Sequence, residues 1–149
     1  MVKPKKSNWE RVLRFLTFRP RSQKEVEDYL DRKRVDPVDK LKLLKRLKQL
    51  DFLDDEEFAQ WLIEQRARLK PKGKRALKQE LCQKGIKPEI VEKVLSAVDE
   101  VAEAKKMAEK KRLAPEKMRS LLMRRGFSWE TIKTVLPRGL DPEVNDVLE

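Results

Sequence analysis

The sequence predicts an all-α protein of three tandem three-helix repeats, about nine helices stacked into an elongated curved bundle. Three observations predict it. Leu, Lys, Glu, Arg and Ala are plentiful and glycine occurs only four times, a composition that favours helices. Apolar residues recur at three- and four-residue spacing, as in Leu77–Leu81, Val91–Val94–Leu95 and Ile132–Val135–Leu136, which is the rhythm of one helix face. The chain also repeats itself, which is the step that organises the rest.

Shifted by 41 residues, Leu77, Leu81, Lys84, Gly85, Ile86, Val91, Val94 and Leu95 fall on Met118, Leu122, Arg125, Gly126, Phe127, Ile132, Val135 and Leu136. Shifted by 51, the beginning falls on the middle: Val12, Pro20, Val26, Leu30 and Val35 meet Ile63, Pro71, Leu77, Leu81 and Ile86. The register then slips by four, so that Leu43, Leu44 and Leu47 meet Ile90, Val91 and Val94. The expected units are 1–52, with a basic amino-terminal arm, 53–98 and 99–139, followed by an acidic tail at 140–149. A unit of about forty residues buries little surface by itself, so neighbours are expected to stack.

The elements follow in order. In the first copy, Ser7-x-x-Glu10 and Ser22-x-x-Glu25 have the capping-box pattern,. Asp36-Pro37 suits an N-cap followed by the first residue of a third helix. The second copy opens at Asp54-Asp55-Glu56-Glu57, acids that suit the positive end of a helix dipole. Its second helix is expected to stop at Gly85 in the left-handed conformation, and Lys87-Pro88 to start the third. In the last copy Pro115 opens the second helix, Gly126 closes it and Ser128 caps the third. Cys82 is read as a small packing residue. Trp9, Trp61 and Trp129 are read as core or inter-repeat packing.

Composition narrows function. Thirty-seven Lys and Arg stand against twenty-six Asp and Glu, a net charge of +11, and such an excess attracts polyanions. No stretch approaches the roughly 18 apolar residues of a membrane span. A single cysteine permits no internal disulfide and fits a reducing cytoplasm,. Histidine is absent, which removes the commonest general base and metal ligand. The reading is therefore not an enzyme, with no metal and no cofactor.

The charge is concentrated. Arg66, Arg68, Lys70, Lys72, Lys74, Arg75 and Lys78 are seven bases in thirteen residues without an acid. The equivalent junction of the first copy holds Arg19, Arg21 and Lys24, and the third copy offers Lys110, Lys111 and Arg112. With Arg124 and Arg125, these are the candidate contact residues of a positive stripe, formed if the copies stack regularly. A merely solvated face, with bases at helix C-termini, accounts for Arg66, Arg68 and Lys70. It does not account for Lys72, Lys74 and Arg75, which run against the dipole of the next helix. Gln83–Pro88 resembles the turn of a helix-turn-helix, yet the same feature recurs at Arg124–Ser128, which argues for shared architecture rather than a base-reading element.

Together these residues resemble a known family. Leu13-Arg14-Phe15-Leu16-Thr17-Phe18-Arg19-Pro20-Arg21-Ser22, then Glu25-Val26 and Leu30, resembles the amino-terminal signature of the RecX regulators. Phe52-Leu53-Asp54-Asp55-Glu56-Glu57-Phe58-Ala59 resembles their middle signature, continued by Gly73, Leu77, Glu80-Leu81 and Lys84-Gly85-Ile86. The resemblance spans residues 11–136. It implies three three-helix units and a bacterial protein that binds RecA and inhibits its filament growth, ATP hydrolysis and strand exchange. The expected partners are thus the RecA filament and, through the basic stripe, DNA held weakly and without regard to sequence. A monomer with no membrane association is expected. Two departures stand out: Asp51 occupies a position where the family often has glycine, and Lys70-Pro71-Lys72 makes a basic, stiff turn. A general nucleic-acid-binding protein is the alternative that the charge alone supports.

Overall fold

The computed structural model of the chain describes residues 6–136. The first five residues of the basic arm and the acidic tail therefore lie outside the described residues. Nine helices occur among them, in three sets of three. The first set is α1 (Asn8–Phe18), α2 (Gln23–Arg32) and α3 (Pro37–Gln49). The second is α4 (Asp55–Leu69), α5 (Lys74–Gln83) and α6 (Pro88–Ser96). The third is α7 (Glu100–Lys111), α8 (Pro115–Arg124) and α9 (Trp129–Val135).

Local chemistry sets the helix starts. Ser22 closes a full capping box with Glu25 at α2,. Ser7 accepts only from the Glu10 N–H, so the box expected at α1 is half made. Asp36 and Asp54 cap α3 and α4, and Ser128 caps α9,. Proline is the first residue of α3, α6 and α8, where its missing N–H costs nothing,.

The middle helix of each copy ends in the same way. In the second, the Gly85 N–H donates to the Cys82 carbonyl at 3.0 Å and the Ile86 N–H to Leu81 at 3.1 Å. In the third, Gly126 donates to Met123 at 3.1 Å and Phe127 to Leu122 at 3.0 Å. These are Schellman motifs, with the glycines at φ +77° and +84° as expected,. Ile86 and Phe127 follow the glycine into the core. The first copy makes the same motif with Arg34 at φ +57°. A fourth closes α3, with Asp51 at φ +58°. Asp51 thus sits in a conformation that favours glycine,.

Each copy has its own core. Val12, Val26, Leu30, Leu44, Leu47 and Leu53 form the first. Phe58, Ala59, Leu62, Leu77, Leu81, Ile86, Val91, Val94 and Leu95 form the second, and Ala104, Met107, Met118, Leu122, Phe127 and Ile132 the third. Most apolar positions aligned by the internal repeat fall in these cores, while Val35, Leu43, Ile63, Ile90, Val135 and Leu136 pack against them half-buried. Every helix pair in extended contact lies within one copy: α2 on α3, α4 and α5 on α6, α7 and α8 on α9. The third helix is the common support. Neighbouring copies meet instead at narrow junctions, and those junctions position the charged surface.

Two expectations are corrected. Cys82 is exposed, because Leu81 takes the inward position and the next residue points about 100° away around the helix. Trp129 is 43% exposed rather than packed, since Phe127 fills the core position before it.

Candidate functional site

The amino end of α5 carries no side-chain cap of its own, because Gly73 stands at the N-cap. Its N–H groups are satisfied by the next copy. Gly73 donates to the Arg125 carbonyl at 2.7 Å and Lys74 donates through its backbone N–H to Glu100 Oε2 at 2.6 Å. Glu100, only 9% exposed, also accepts from the Ser128 N–H at 3.0 Å, the Ser128 hydroxyl at 2.8 Å and the Thr131 hydroxyl at 2.5 Å. Burial pushes the Glu100 carboxyl up, but the donors from Thr131, Lys74 and Ser128 outweigh it and hold the group below the ordinary carboxylate range,. Backbones touch at this point. A Cβ on Gly73 would strike the Gly126 and Phe127 backbone, and one on Gly126 would lie 2.5 Å from the Ala76 Cβ.

The junction between the first two copies repeats this plan. The Gln23 N–H, one residue past the Ser22 cap of α2, donates to Asp55 Oδ1 at 2.8 Å. Lys24 reaches the Gln83 carbonyl at 3.3 Å, as Arg75 reaches Met123 at 3.3 Å. A Cβ on Gly85 would lie 2.8 Å from the Lys24 Cβ. Burial pushes Asp55 up against its single backbone donor from Gln23, so here the shift goes the opposite way. Arg19 bridges the junction with its guanidinium 5.5 Å from the Trp61 ring centre while pairing with Glu25,.

The second junction opens on one side into a groove of about 660 Å³ between α5 and α8. Lys70 and Lys72 line one wall and Arg124 and Arg125 the other, with Glu80 between them. Glu80 is already claimed. Arg66 pairs with it through its guanidinium and Lys72 at 3.1 Å. Arg66 first and Lys72 after it hold the Glu80 carboxyl low, so the carboxylate is charged at neutral pH. Counting Arg66, five bases surround one acid. Lys70 and Arg124 are exposed. Such a groove can take a phosphate backbone or an acidic protein segment.

The other predicted residues are distributed along the chain. Arg21 lies with its guanidinium 3.9 Å from the Phe15 ring centre. Arg68, Arg75 and Lys78 are exposed on the second copy, and Lys110, Lys111 and Arg112 are exposed where α7 ends. Lys72 and Lys74 are half-buried. Their position against the α5 dipole has a structural reason, since Glu100 neutralises that helix end. Sequence reading missed Glu100, Gly73 and Asp55 as junction residues. The one available signal was a helix start with glycine and no local cap. Among the described residues, no three His, Cys, Asp or Glu side chains converge on a metal-sized site, and no helix is long and apolar enough to cross a membrane.

Comparison with known proteins places this architecture. Residues 9–47 match the family description "RecX, first three-helix domain" and residues 54–95 match "RecX, second three-helix domain". The chain is 34% identical over 147 residues to Regulatory protein RecX of Chlorobaculum tepidum, covering 93% of this chain and 92% of that protein. It is 33% identical over 143 residues to Regulatory protein RecX of Bacillus subtilis, covering 88% of this chain but only 54% of the longer relative. The crystal structure of RecX from Lactobacillus salivarius aligns with a TM-score of 0.73 at 26% identity, over 85% of this chain and 90% of that one.

Proposed function

We propose that this chain, which belongs to the RecX family of regulatory proteins, acts by binding the RecA nucleoprotein filament and inhibiting its growth, ATP hydrolysis and strand exchange. In this role it regulates recombination and DNA repair. The observation that carries the contact mode is the groove between α5 and α8, where Lys70, Lys72, Arg124 and Arg125 converge. A filament offers DNA phosphates and acidic protein surface in regular repeat. Units 1–52, 53–98 and 99–139, each with bases near its first-to-second helix junction, can meet several of them at once, and multivalent contact multiplies modest affinities. The protein acts as a cytoplasmic monomer, without catalysis or cofactor, and its direct hold on DNA is weak and indifferent to sequence.

The decisive assay titrates the protein into the ATPase of the cognate RecA on single-stranded DNA. Inhibition at protein well below the DNA concentration supports the reading. An unchanged ATPase, with DNA binding retained, would leave a general nucleic-acid-binding protein in its place. Direct binding to DNA should weaken steeply with salt through counterion release. Strong preference for one duplex sequence that persists at high salt contradicts the electrostatic part.

A further inference from the structure

A second basic surface lies outside the stripe, on the first copy. Arg11, Arg14, Phe15 and Phe18 are spaced at one-turn intervals along α1, so they share a face of that helix,. This face borders a cleft of about 350 Å³ closed on the far side by Tyr29 and Lys33. Lys6 completes the rim. Four bases thus line the cleft, and no acidic side chain does among the described residues.

The aromatic residues divide into two roles. Phe15 and Tyr29 are stacked at 4.2 Å with their planes 12° apart, and Arg21 covers Phe15 from another side. They are a fixed floor. Phe18 is different: it ends α1, borders the cleft and is 72% exposed as a residue. An exposed ring among cations is the arrangement that takes a nucleobase on its face while the bases hold the flanking phosphates. A duplex keeps its base faces stacked and offers none to Phe18.

We infer that this cleft is a binding site for single-stranded nucleic acid, with a base stacked on Phe18 and phosphates held by Arg11, Arg14 and Lys33. It is separate from the groove between α5 and α8 and does not rest on the filament reading.

The test uses the whole chain without RecA. Anisotropy of a short labelled oligothymidylate is followed at low salt, beside a duplex of the same length. Phe18→Ala should weaken the single strand by about 5- to 100-fold, the range of one lost stacking contact, and leave the duplex nearly unaffected. Arg11→Glu with Arg14→Glu should abolish the difference between the two ligands. Phe18→Trp should keep the affinity and show emission, above that of the native tryptophans, that is quenched as the oligonucleotide binds. Equal single-strand affinity of Phe18→Ala and the wild type, with unquenched Phe18→Trp emission, overturns the site. So does an acidic peptide that competes equally well with both proteins.

Discussion

Arg34, Asp51, Gly85 and Gly126 occupy the same turn conformation, but for different sets of reasons. At Gly85 and Gly126 a side chain meets two obstacles: a left-handed backbone and the helix of the preceding copy. Arg34 is exposed, and no preceding copy presses on it. Only the backbone cost remains there. Arg34→Gly and Asp51→Gly should therefore each stabilise the fold by about 0.5–1 kcal/mol in urea unfolding, since left-handed geometry costs non-glycine residues on the order of 1–2 kcal/mol and glycine returns part of it in entropy. Gly126→Ala should destabilise by more than that gain, about 2 kcal/mol or above, because neighbouring backbone must move. Equal and small effects at all three sites would show that the close approach has no weight.

Glu100 and Asp55 form the other contrast at this scale. They hold equivalent places at the two junctions, yet Glu100 has four donors and Asp55 a single backbone one. A lowered folded pKa gives stability that is present above the unfolded value and lost as pH falls through the folded one. Glu100, with Glu25 and Glu80 in the same direction, should thus make the fold acid-sensitive below about pH 4.5. Asp55 is raised and works the other way: its contribution is largest below the unfolded value and fades as pH rises through the folded one. At pH 7, Glu100→Gln should cost about 1–3 kcal/mol through unsatisfied donors, and Asp55→Asn should be near neutral. Thermal melts of both variants at pH 7 and pH 4 check the sign, the Glu100→Gln deficit shrinking toward the lower pH.

At the scale of elements, most of what the sequence holds is local, and so it was readable. Capping serines, N1 prolines and C′ glycines act within four residues, and they mark the starts of α2, α3, α6, α8 and α9 and the ends of α5 and α8. Buried positions followed from the repeat, because aligned apolar residues such as Leu30, Leu81 and Leu122 face aligned cores. What stayed hidden acts across long separation. The cap of α5 comes from Glu100, a residue 26 positions away, and no local pattern encodes it. The same gap made Lys72, Lys74 and Arg75 look like a free basic cluster. Lys72 is tied to Glu80 and Arg75 to the Met123 carbonyl, so reversing those three would disturb the junction as well as the charge. Cys82 and Trp129 were misread for a simpler reason. Cys82 adjoins the core position of Leu81 and Trp129 lies two residues past that of Phe127, and spacing along the chain predicts a face only to within a residue or two.

On the scale of the whole molecule, three separate cores joined by narrow junctions imply partial independence of the units. Loosening one junction should release one unit before the rest. In hydrogen exchange, Glu100→Gln should lower protection across α7–α9 while the first copy, around Leu30 and Leu47, keeps its protection. A uniform loss through all nine helices would mean that the chain behaves as one cooperative body.

Charge, too, is a property of the whole. The first unit carries a net +8, the second +2 and residues 99–138 +5, yet the groove between α5 and α8 arises where the second and third copies meet. The central claim is that this groove engages the RecA filament. It is tested most directly by titrating Lys70→Glu/Arg124→Glu into the RecA ATPase on single-stranded DNA, beside Lys42→Glu/Lys45→Glu on α3. All four sites are exposed, so both variants should fold, each change costing about half a kcal/mol or less. The groove variant should need about tenfold more protein for half-inhibition, a loss near 1.4 kcal/mol, and the α3 variant about the same as wild type. Equal inhibition by the two variants would contradict the account and move the contact away from the groove.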